Sequence, residues 1–220
     1  MCSSDLEDAL EFVTLSGYAD TLLELSDTPV TYSGASGQSL VVNDEEDGVE
    51  FITISGGGGG EVSTLLIFTA LHAELPASDY ATFDTRNLHA VLDFDDTTDE
   101  SAIFSAILPR SYAEGGLKVW IYFCMETAIE DTVIWNVAFE RIGEVLDIDG
   151  DSFAAAQSSG SITVPGTCGL VEMSSISFTD GAQMDSLEAG EGFRMMITRD
   201  ATTDTAADDA EILYVEIEAI

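Results

Sequence analysis

The clearest apolar alternation in the chain lies in residues 117–142, where two runs are joined by a short polar connection. In each run, every second residue is large and apolar. Because side chains alternate across a β-strand, each run presents one face to a core. The core-facing positions are Leu117, Val119, Ile121, Phe123 and Met125 in the first run, and Val133, Trp135, Val137 and Phe139 in the second. The pattern predicts two strands that pair as a β-hairpin at the centre of an antiparallel domain.

The opposite faces of these two strands are also partly apolar, and Trp120 and Tyr122 occupy the outer face of the first strand. A second apolar stripe is covered in a folded protein by another layer or by a partner chain. We therefore predict that Trp120 and Tyr122 pack against another subunit. The alternative is a sugar-stacking platform, in which Tyr112, Trp135 and Tyr214 would also take part, because amphipathic rings suit recognition.

From residue 64 to its end, the chain continues as short apolar runs separated by polar connections of uneven length. The runs cover residues 64–73, 88–94, 102–108, 117–126, 132–142, 161–164, 170–178, 192–198 and 211–218. They predict an all-β fold, an antiparallel β-sandwich of about eight strands, with the jelly roll as the favoured topology. In the last strand, Leu213, Val215 and Ile217 are expected to face inward. The alternation changes parity at Ser174 and Ser175, which predicts a bulge there.

Residues 25–54 predict a small two-stranded unit ahead of the sandwich. Pro29 presets a turn, and the β-rich runs 39–42 and 49–54 flank a polar reversal. A hairpin with so few apolar residues is marginal in water without a neighbour. Residues 1–24 fit either a short helix or a partner-binding arm, and the pattern leaves both open.

Five consecutive glycines at residues 56–60 separate this unit from the sandwich. Glycine runs act as flexible linkers. The predicted organisation is an N-terminal attachment and oligomerisation segment at 1–55, a hinge at 56–60 and a β-sandwich at 61–220.

The charge of the chain is one-sided, with 42 acidic residues against 6 basic ones and a net charge of −36. A surface of this sign repels phosphate backbones and anionic membranes, so neither nucleic acid nor a membrane is predicted as a partner. Cations screen such self-repulsion, and we predict a protein suited to a salty or divalent-rich medium. The alternative is that the acidity serves solubility alone.

Alternating carboxylates in loops make Ca²⁺ the candidate metal ion. Asp147, Asp149 and Asp151 form such a set, and hard cations prefer oxygen ligands. An EF-hand would carry glycine and an acid where this chain has Ser152 and Ser158, so the motif is incomplete. Two similar groups are Asp93, Asp95 and Asp96, and Asp204, Asp208 and Asp209.

The residues do not form a recognisable catalytic motif. His72 and His89 are the only histidines, and each lies in an apolar run, which favours a structural role over that of a general base. Cys2, Cys124 and Cys168 match no zinc or redox spacing. The chain also shows neither a Sec signal nor an apolar run that could span a bilayer. We therefore predict a soluble, non-enzymatic protein that is made in a reducing cytoplasm.

Part of the N-terminal unit resembles a known family. The pattern Leu25-Ser26-Asp27-Thr28-Pro29, Tyr32-Ser33-Gly34, Leu40-Val41-Val42-Asn43 and Asp47-Gly48-Val49-Glu50-Phe51 is similar to a module of tailed-phage fibres and other virion structural proteins. The C-terminal block, which includes DIDGDSFAAAQ and AEILYVEIEA, looks like a recurrent domain of phage and prophage structural proteins. In such proteins the module lies near an attachment end, and the assemblies are commonly trimers. The interface and attachment residues expected on this basis are Leu25, Pro29, Tyr32, Leu40, Val42, Val49 and Phe51, together with Trp120 and Tyr122.

The resemblance implies a non-enzymatic virion structural protein of a tailed phage: a fibre, a spike or a capsid decoration. Such a protein would form a homotrimer, contact other virion proteins through its N-terminal segment and be exposed on the particle. The first alternative is a carbohydrate- or receptor-binding module at a fibre tip, which would contact a host surface glycan. The second alternative is a polysaccharide depolymerase, because one fold hosts many functions.

Overall fold

The structure, a computed structural model, describes residues 38–43, 48–52, 63–127 and 130–220. The chain divides into two compact units, Met1–Glu61 and Val62–Ile220. In the first unit, β1 (Ser39–Val42) and β2 (Val49–Ile52) form an antiparallel hairpin. The predicted N-terminal hairpin is therefore confirmed within the described residues. Leu25, Pro29, Tyr32 and the glycine run at 56–60 lie outside them, as do the last two residues of the predicted strand 49–54.

Within its described residues, 63–127 and 130–220, the second unit contains eleven strands and two 3-10 turns, Ala70–His72 and Ala182–Met184. The strands are β3 (Thr64–Thr69), β4 (Ala73–Glu74), β5 (Thr82–Arg86), β6 (His89–Phe94), β7 (Ser101–Ile107), β8 (Leu117–Met125), β9 (Thr132–Ile142), β10 (Gln157–Thr163), β11 (Glu172–Phe178), β12 (Gly192–Arg199) and β13 (Ala210–Ala219). One sheet has the order β10-β9-β12-β7-β4. The other has the order β11-β8-β13-β6-β5, with β3 also paired to β13.

From β6 to β13 the chain alternates between the two sheets with one exception, since the consecutive strands β9 and β10 lie in the same sheet. All named strand pairs are antiparallel. An eight-stranded double sheet with these two strand orders is a jelly roll. The all-β class, the antiparallel sandwich and the jelly-roll topology predicted from the sequence are confirmed.

The core lies between the two sheets and is centred on Trp135, which is fully buried. The ring centroid of Trp135 lies 5.1 Å from that of Phe94 and 5.4 Å from that of Phe123, both in edge-on geometry. Phe139 makes a similar contact with Phe178 at 4.9 Å. Edge-to-face aromatic pairs add about 0.5–1.5 kcal/mol each beyond their buried area, so these contacts lock the two sheets together.

The predicted central hairpin is wrong. β8 pairs with β11 and β13, whereas β9 pairs with β10 and β12 in the opposite sheet. The two strands face each other across the core, as the contact between Phe123 and Trp135 shows. Both strands have a fully apolar inner face. Such a face is compatible with strands that face each other across the core as well as with strands that pair in one sheet. Their connection also lacks the two-residue turn that would enforce a hairpin.

Two finer predictions about register are also wrong. β11 pairs with β8 without interruption, so there is no bulge at Ser174 and Ser175; Ser174 faces the core and Met173 is exposed. The irregularity lies instead in β13, between Ile212 and Tyr214. It turns Leu213 out of the inward row, which Ile212, Val215 and Ile217 form.

A buried ion pair holds the loop between β12 and β13. Arg199 is fully buried, and its Nε donates to Oδ2 of Asp204 at 2.9 Å. The same guanidinium donates to the carbonyls of Phe94 at 3.0 Å, Asp208 at 2.8 Å and Ala206 at 2.7 Å, and to Oδ1 of Asp204 at 3.3 Å. Because every N–H of the guanidinium has a partner, the buried charge is compensated and the loop is fixed against the end of β6.

Among the described residues, no helix combines the length and apolarity that a membrane span requires.

Candidate functional site on the outer face of the β8–β13 sheet

The candidate site is the solvent side of β8 and β13, here called the aromatic face and defined by Trp120, Tyr122, Tyr214, Glu216 and Glu218. Alternation places these side chains outside because the residues between them, Val119, Ile121, Phe123, Val215 and Ile217, are fully buried in the core. The antiparallel register sets Tyr122 beside Tyr214 and Trp120 beside Glu216. Side chains opposite each other in such a pair lie within about 5.5 Å at Cβ, so the five residues form one continuous surface.

Hydrogen bonds hold the rings of the aromatic face in place. Nε1 of Trp120 donates to Oε2 of Glu218 at 2.7 Å, and the hydroxyl of Tyr122 donates to Oε2 of Glu216 at 2.9 Å. The rings of Tyr122 and Tyr214 meet edge-on with their centroids 6.5 Å apart. A site whose side chains are already fixed loses little conformational entropy on binding.

Hydrogen bonding favours the charged form of the Glu218 carboxylate. The hydrogen bond from Trp120, followed by one from Ser63, lowers the pKa of Glu218. The hydrogen bond to Glu216, together with burial, raises the pKa of Tyr122, which therefore stays a protonated donor. Nζ of Lys118 lies 5.4 Å from the ring centroid of Trp120 and contributes one positive charge at the edge.

The surroundings of the aromatic face mix hydroxyl groups with isolated apolar side chains. On one side β11 contributes Ser175 and Ser177, and on the other β3 contributes Thr69 and Ile67, which is 63% exposed. Ring faces, carboxylate oxygens and hydroxyls on an exposed sheet can stack on a flat, weakly polar ligand and accept its hydroxyl protons.

The sugar-platform hypothesis is partly corrected. Trp135 is fully buried in the core, and Tyr112 is only 5% exposed at one end of the sandwich. The hydroxyl of Tyr112 accepts a hydrogen bond from the backbone N–H of Gly116 at 2.9 Å, away from the aromatic face. Trp120, Tyr122 and Tyr214 are brought together, whereas Tyr112 and Trp135 are not part of the surface.

Sequence reasoning missed Glu216 and Glu218. The run Tyr214-Val215-Glu216-Ile217-Glu218 contained the signal, because Val215 and Ile217 are core positions and the residues between them must face outward. What the sequence lacked was the pairing partner, since β8 lies almost a hundred positions earlier.

A second charged group continues the same outer face beyond the tyrosines. Arg86 forms an ion pair with Glu211, and its Nη1 also donates to the carbonyl of Met125 at 3.1 Å. The thiol of Cys124 donates to Oε2 of Glu211 at 3.3 Å. Burial and then Glu211 raise the pKa of Cys124 to about 12, so this cysteine is held as an unreactive thiol.

The carboxylates that the structure brings together are not the first candidates for Ca²⁺. Among the described residues, oxygens of Asp95, Asp96 and Asp209 lie within 4.8 Å of one another, so members of the two other acidic groups converge. The loop with Asp147 and Asp149 is a turn, in which Oδ1 of Asp147 accepts from the N–H of Asp149 at 3.2 Å, and it does not form such a cluster. The Ca²⁺ assignment to Asp147, Asp149 and Asp151 stays a prediction.

We expect the melting temperature to rise with salt. The net charge is −36, and burial together with Asp95 raises the pKa of Asp209, which shows that ionisation of Asp209 is opposed. At about 1 M NaCl the Debye length is about 3 Å, and relief of about 2 kcal/mol would raise the melting temperature by about 4–8 °C. Calorimetry in NaCl and in CaCl₂ at equal ionic strength measures the effect.

A larger rise in CaCl₂ that is lost in Asp209→Asn would indicate cation binding at Asp95, Asp96 and Asp209. Asp84→Asn, at an exposed position of β5 outside the three acidic groups, is the matched control. A melting temperature that does not respond to either salt would contradict the adaptation to a salty medium.

Comparison with known proteins gives structural likenesses only. No protein-family model and no curated protein sequence matches the chain. Among solved structures, the module CsCBM6-3 from Clostridium stercorarium, in complex with cellobiose, aligns over 71% of this chain and 95% of its own, with 8% identity and a TM-score of 0.42. A family 35 carbohydrate-binding module from an environmental isolate covers 70% and 93%, with 9% identity and a TM-score of 0.44. The carbohydrate-binding module CBM36, in complex with calcium and xylotriose, covers 70% and 100%, with 11% identity and a TM-score of 0.41. The likeness is in the β-sandwich architecture.

Proposed function

We propose that the sandwich unit is a non-enzymatic binding module that takes a neutral glycan on the aromatic face. The observation that carries the proposal is the fixed pair of rings, Trp120 held by Glu218 and Tyr122 held by Glu216. Each hydrogen bond uses the polar edge of a ring. Aromatic ring faces suit stacking, and one face of Trp120 is approached by Lys118. Thr64 donates to the other oxygen of Glu216, so ligand hydroxyls would use the carboxylate lone pairs that Trp120, Tyr122 and Thr64 leave.

The composition of the face favours a glycan over a second protein subunit. The centre of a protein–protein interface is depleted in Glu, Lys and Ser. Here Glu216 and Glu218 are part of the face, and Lys118 and Ser175 lie beside them. Burying these carboxylates against the carboxylates of an identical face is costly, whereas sugar hydroxyls can donate to them.

The negative net charge of the chain favours a neutral glycan over an anionic one. Uronic acids and sulfated sugars are anionic and would meet a protein of net charge −36 as well as the carboxylates of the site. A neutral sugar avoids this repulsion and gains charge-assisted hydrogen bonds to Glu216 and Glu218.

Replacing Trp120 with alanine should weaken glycan binding strongly. Buried Trp and Tyr anchors contribute about 2 kcal/mol or more to recognition, so we expect an affinity loss of about 30-fold or more. A glycan array followed by titration calorimetry on the best ligand measures the loss. Tyr80→Ala is the control, because Tyr80 is 42% exposed and lies outside the aromatic face. Equal binding by wild type and Trp120→Ala, or preferred binding of anionic glycans, would refute the proposal.

A second candidate function is that of a homotrimeric virion structural protein, exposed on the particle and attached through its N-terminal segment. The observation that favours it is the β1–β2 hairpin, in which each strand has four residues and Leu40 and Val42 are 39% and 63% exposed. A two-stranded hairpin of this size is marginal in water on its own, and copies of the chain could supply its neighbour. Mass photometry of the full chain tests this function, and a monomer at micromolar concentration would contradict it.

A further inference from the structure

A pocket lined by three leucines and by polar side chains adjoins the aromatic face. It has a volume of about 320 Å³, and its lining includes Leu71, Leu88 and Leu213 together with Thr69, His89 and Tyr214. The pocket and the aromatic face share Tyr214. Thr69 pairs with Tyr214 across the β3–β13 ladder, so the two surfaces are continuous.

The register of β13 explains why a pocket forms there. β6 pairs with β13 up to Ile212, and β3 pairs with it from Tyr214 onward. Leu213 lies between the two ladders, at the irregularity in β13. Leu213 therefore pairs with neither β6 nor β3 and lies in the gap between the two ladders.

Leu88 is exposed at a cost to the fold. Its side chain is 98% exposed, and its backbone has a φ of +69°, in the turn that joins β5 to β6. A leucine gains nothing from packing at such a position and is strained by the left-handed conformation, which glycine adopts freely.

We propose that this pocket binds an apolar substituent, such as an acetyl group, on the glycan that the aromatic face holds. The inference rests on the proposed function and names the specificity of the same site. The leucines supply the apolar contact for the methyl group. Thr69, His89 and Tyr214 supply hydrogen-bonding groups for the carbonyl and the neighbouring hydroxyls.

The experiment compares acetylated glycans with their unsubstituted counterparts. The probes are chitotetraose beside cellotetraose, and acetylated xylan and glucomannan beside chemically deacetylated samples of the same polymers. Burying one methyl group corresponds to a preference of about fivefold for the acetylated member of a pair. Leu88→Gly and Leu71→Ala should remove the preference and leave affinity for the unsubstituted glycan unchanged. Trp120→Ala should weaken binding of both.

Val145→Gly is the matched control for Leu88→Gly. Val145 is 96% exposed with a φ of +66°, in the turn after β9 in the opposite sheet. Both substitutions should relieve backbone strain and raise the melting temperature by about 2 °C, and Leu88→Gly alone should alter ligand preference.

Equal affinity for the two members of each pair, or a preference that survives Leu88→Gly and Leu71→Ala, would overturn the inference and leave the proposed function standing. Failure of every neutral glycan to bind would overturn both. Dissociation of an oligomer by Leu88→Gly, without any change in ligand preference, would show that a second copy covers the pocket and would likewise overturn the inference.

Discussion

Replacing Asp204 with alanine is expected to lower the free energy of unfolding by about 3–5 kcal/mol, because it leaves the guanidinium of Arg199 buried without a counter-charge. Arg199 is 0% exposed, and the side chain of Asp204 is 1% exposed, so water cannot replace the lost partner. For a unit of this size the melting temperature should fall by about 10 °C. Thermal and urea unfolding of the wild type and the variant measure the change.

The control for this prediction is Asp149→Ala, which removes the same charge from an exposed turn and should change stability by less than about 0.5 kcal/mol. The double variant Arg199→Met, Asp204→Leu should not recover the loss, because removing the guanidinium also leaves the carbonyls of Phe94, Ala206 and Asp208 without their donors. Equal stability of Asp204→Ala and Asp149→Ala would show that the ion pair does not hold the 200–209 loop.

Replacing Asp93 with asparagine is expected to stabilise the protein at pH 8 and to have little effect at pH 4. Burial raises the pKa of Asp93 to about 7, and repulsion from Asp209 and Glu211 adds to the shift. Its Oδ1 atom is buried without a hydrogen-bond partner among the described residues. Asparagine resembles the protonated acid in shape and carries no charge, so it removes the ionisation that the fold opposes.

The sign follows from proton linkage. Between about pH 4 and pH 7 the folded state retains a proton on Asp93 that the unfolded state releases, so this stabilising contribution is complete below pH 4 and is lost as the pH rises to 7. Because Asp93 is partly exposed, we expect a gain of about 1–2 kcal/mol at pH 8, well below the full value of the shift.

Melting curves of the wild type, Asp93→Asn and the control Asp84→Asn between pH 4 and pH 8 test this prediction. Asp84 is an exposed neighbour, and its replacement removes the same charge. A gain in Asp93→Asn that does not depend on pH, or that Asp84→Asn matches, would show that the effect comes from net charge alone.

Much of the candidate site could be placed on the correct face from the sequence. The buried positions Val119, Ile121 and Phe123 fixed the inner side of β8, and therefore put Trp120 and Tyr122 on the outer side. Their partners could not be found, because Glu216 and Glu218 come from a strand far along the chain. The acidic cluster could not be predicted for the same reason. Asp209 is far from Asp95 and Asp96 in the sequence and lies beside them only in the folded structure.

The errors have three physical causes. Alternation reports which side of a strand is buried but not which strand lies next to it, so two facing strands of a sandwich, β8 and β9, present the same pattern as a hairpin. The apparent parity change in β11 has a different cause, because Val171 and Met173 are apolar yet exposed. Strand β5 was missed because its residues are mostly polar and it lies at the edge of its sheet.

The sequence by itself determined the all-β class, the two-sheet architecture, the N-terminal hairpin and the outward position of Trp120 and Tyr122, because these depend on the local period of apolar residues. The tertiary structure alone decided which strands pair, where β13 breaks register to open the pocket at Leu213, and which carboxylates meet the aromatic rings. These features depend on contacts between residues distant in the chain, and those contacts are selected by the packing of the whole core around Trp135.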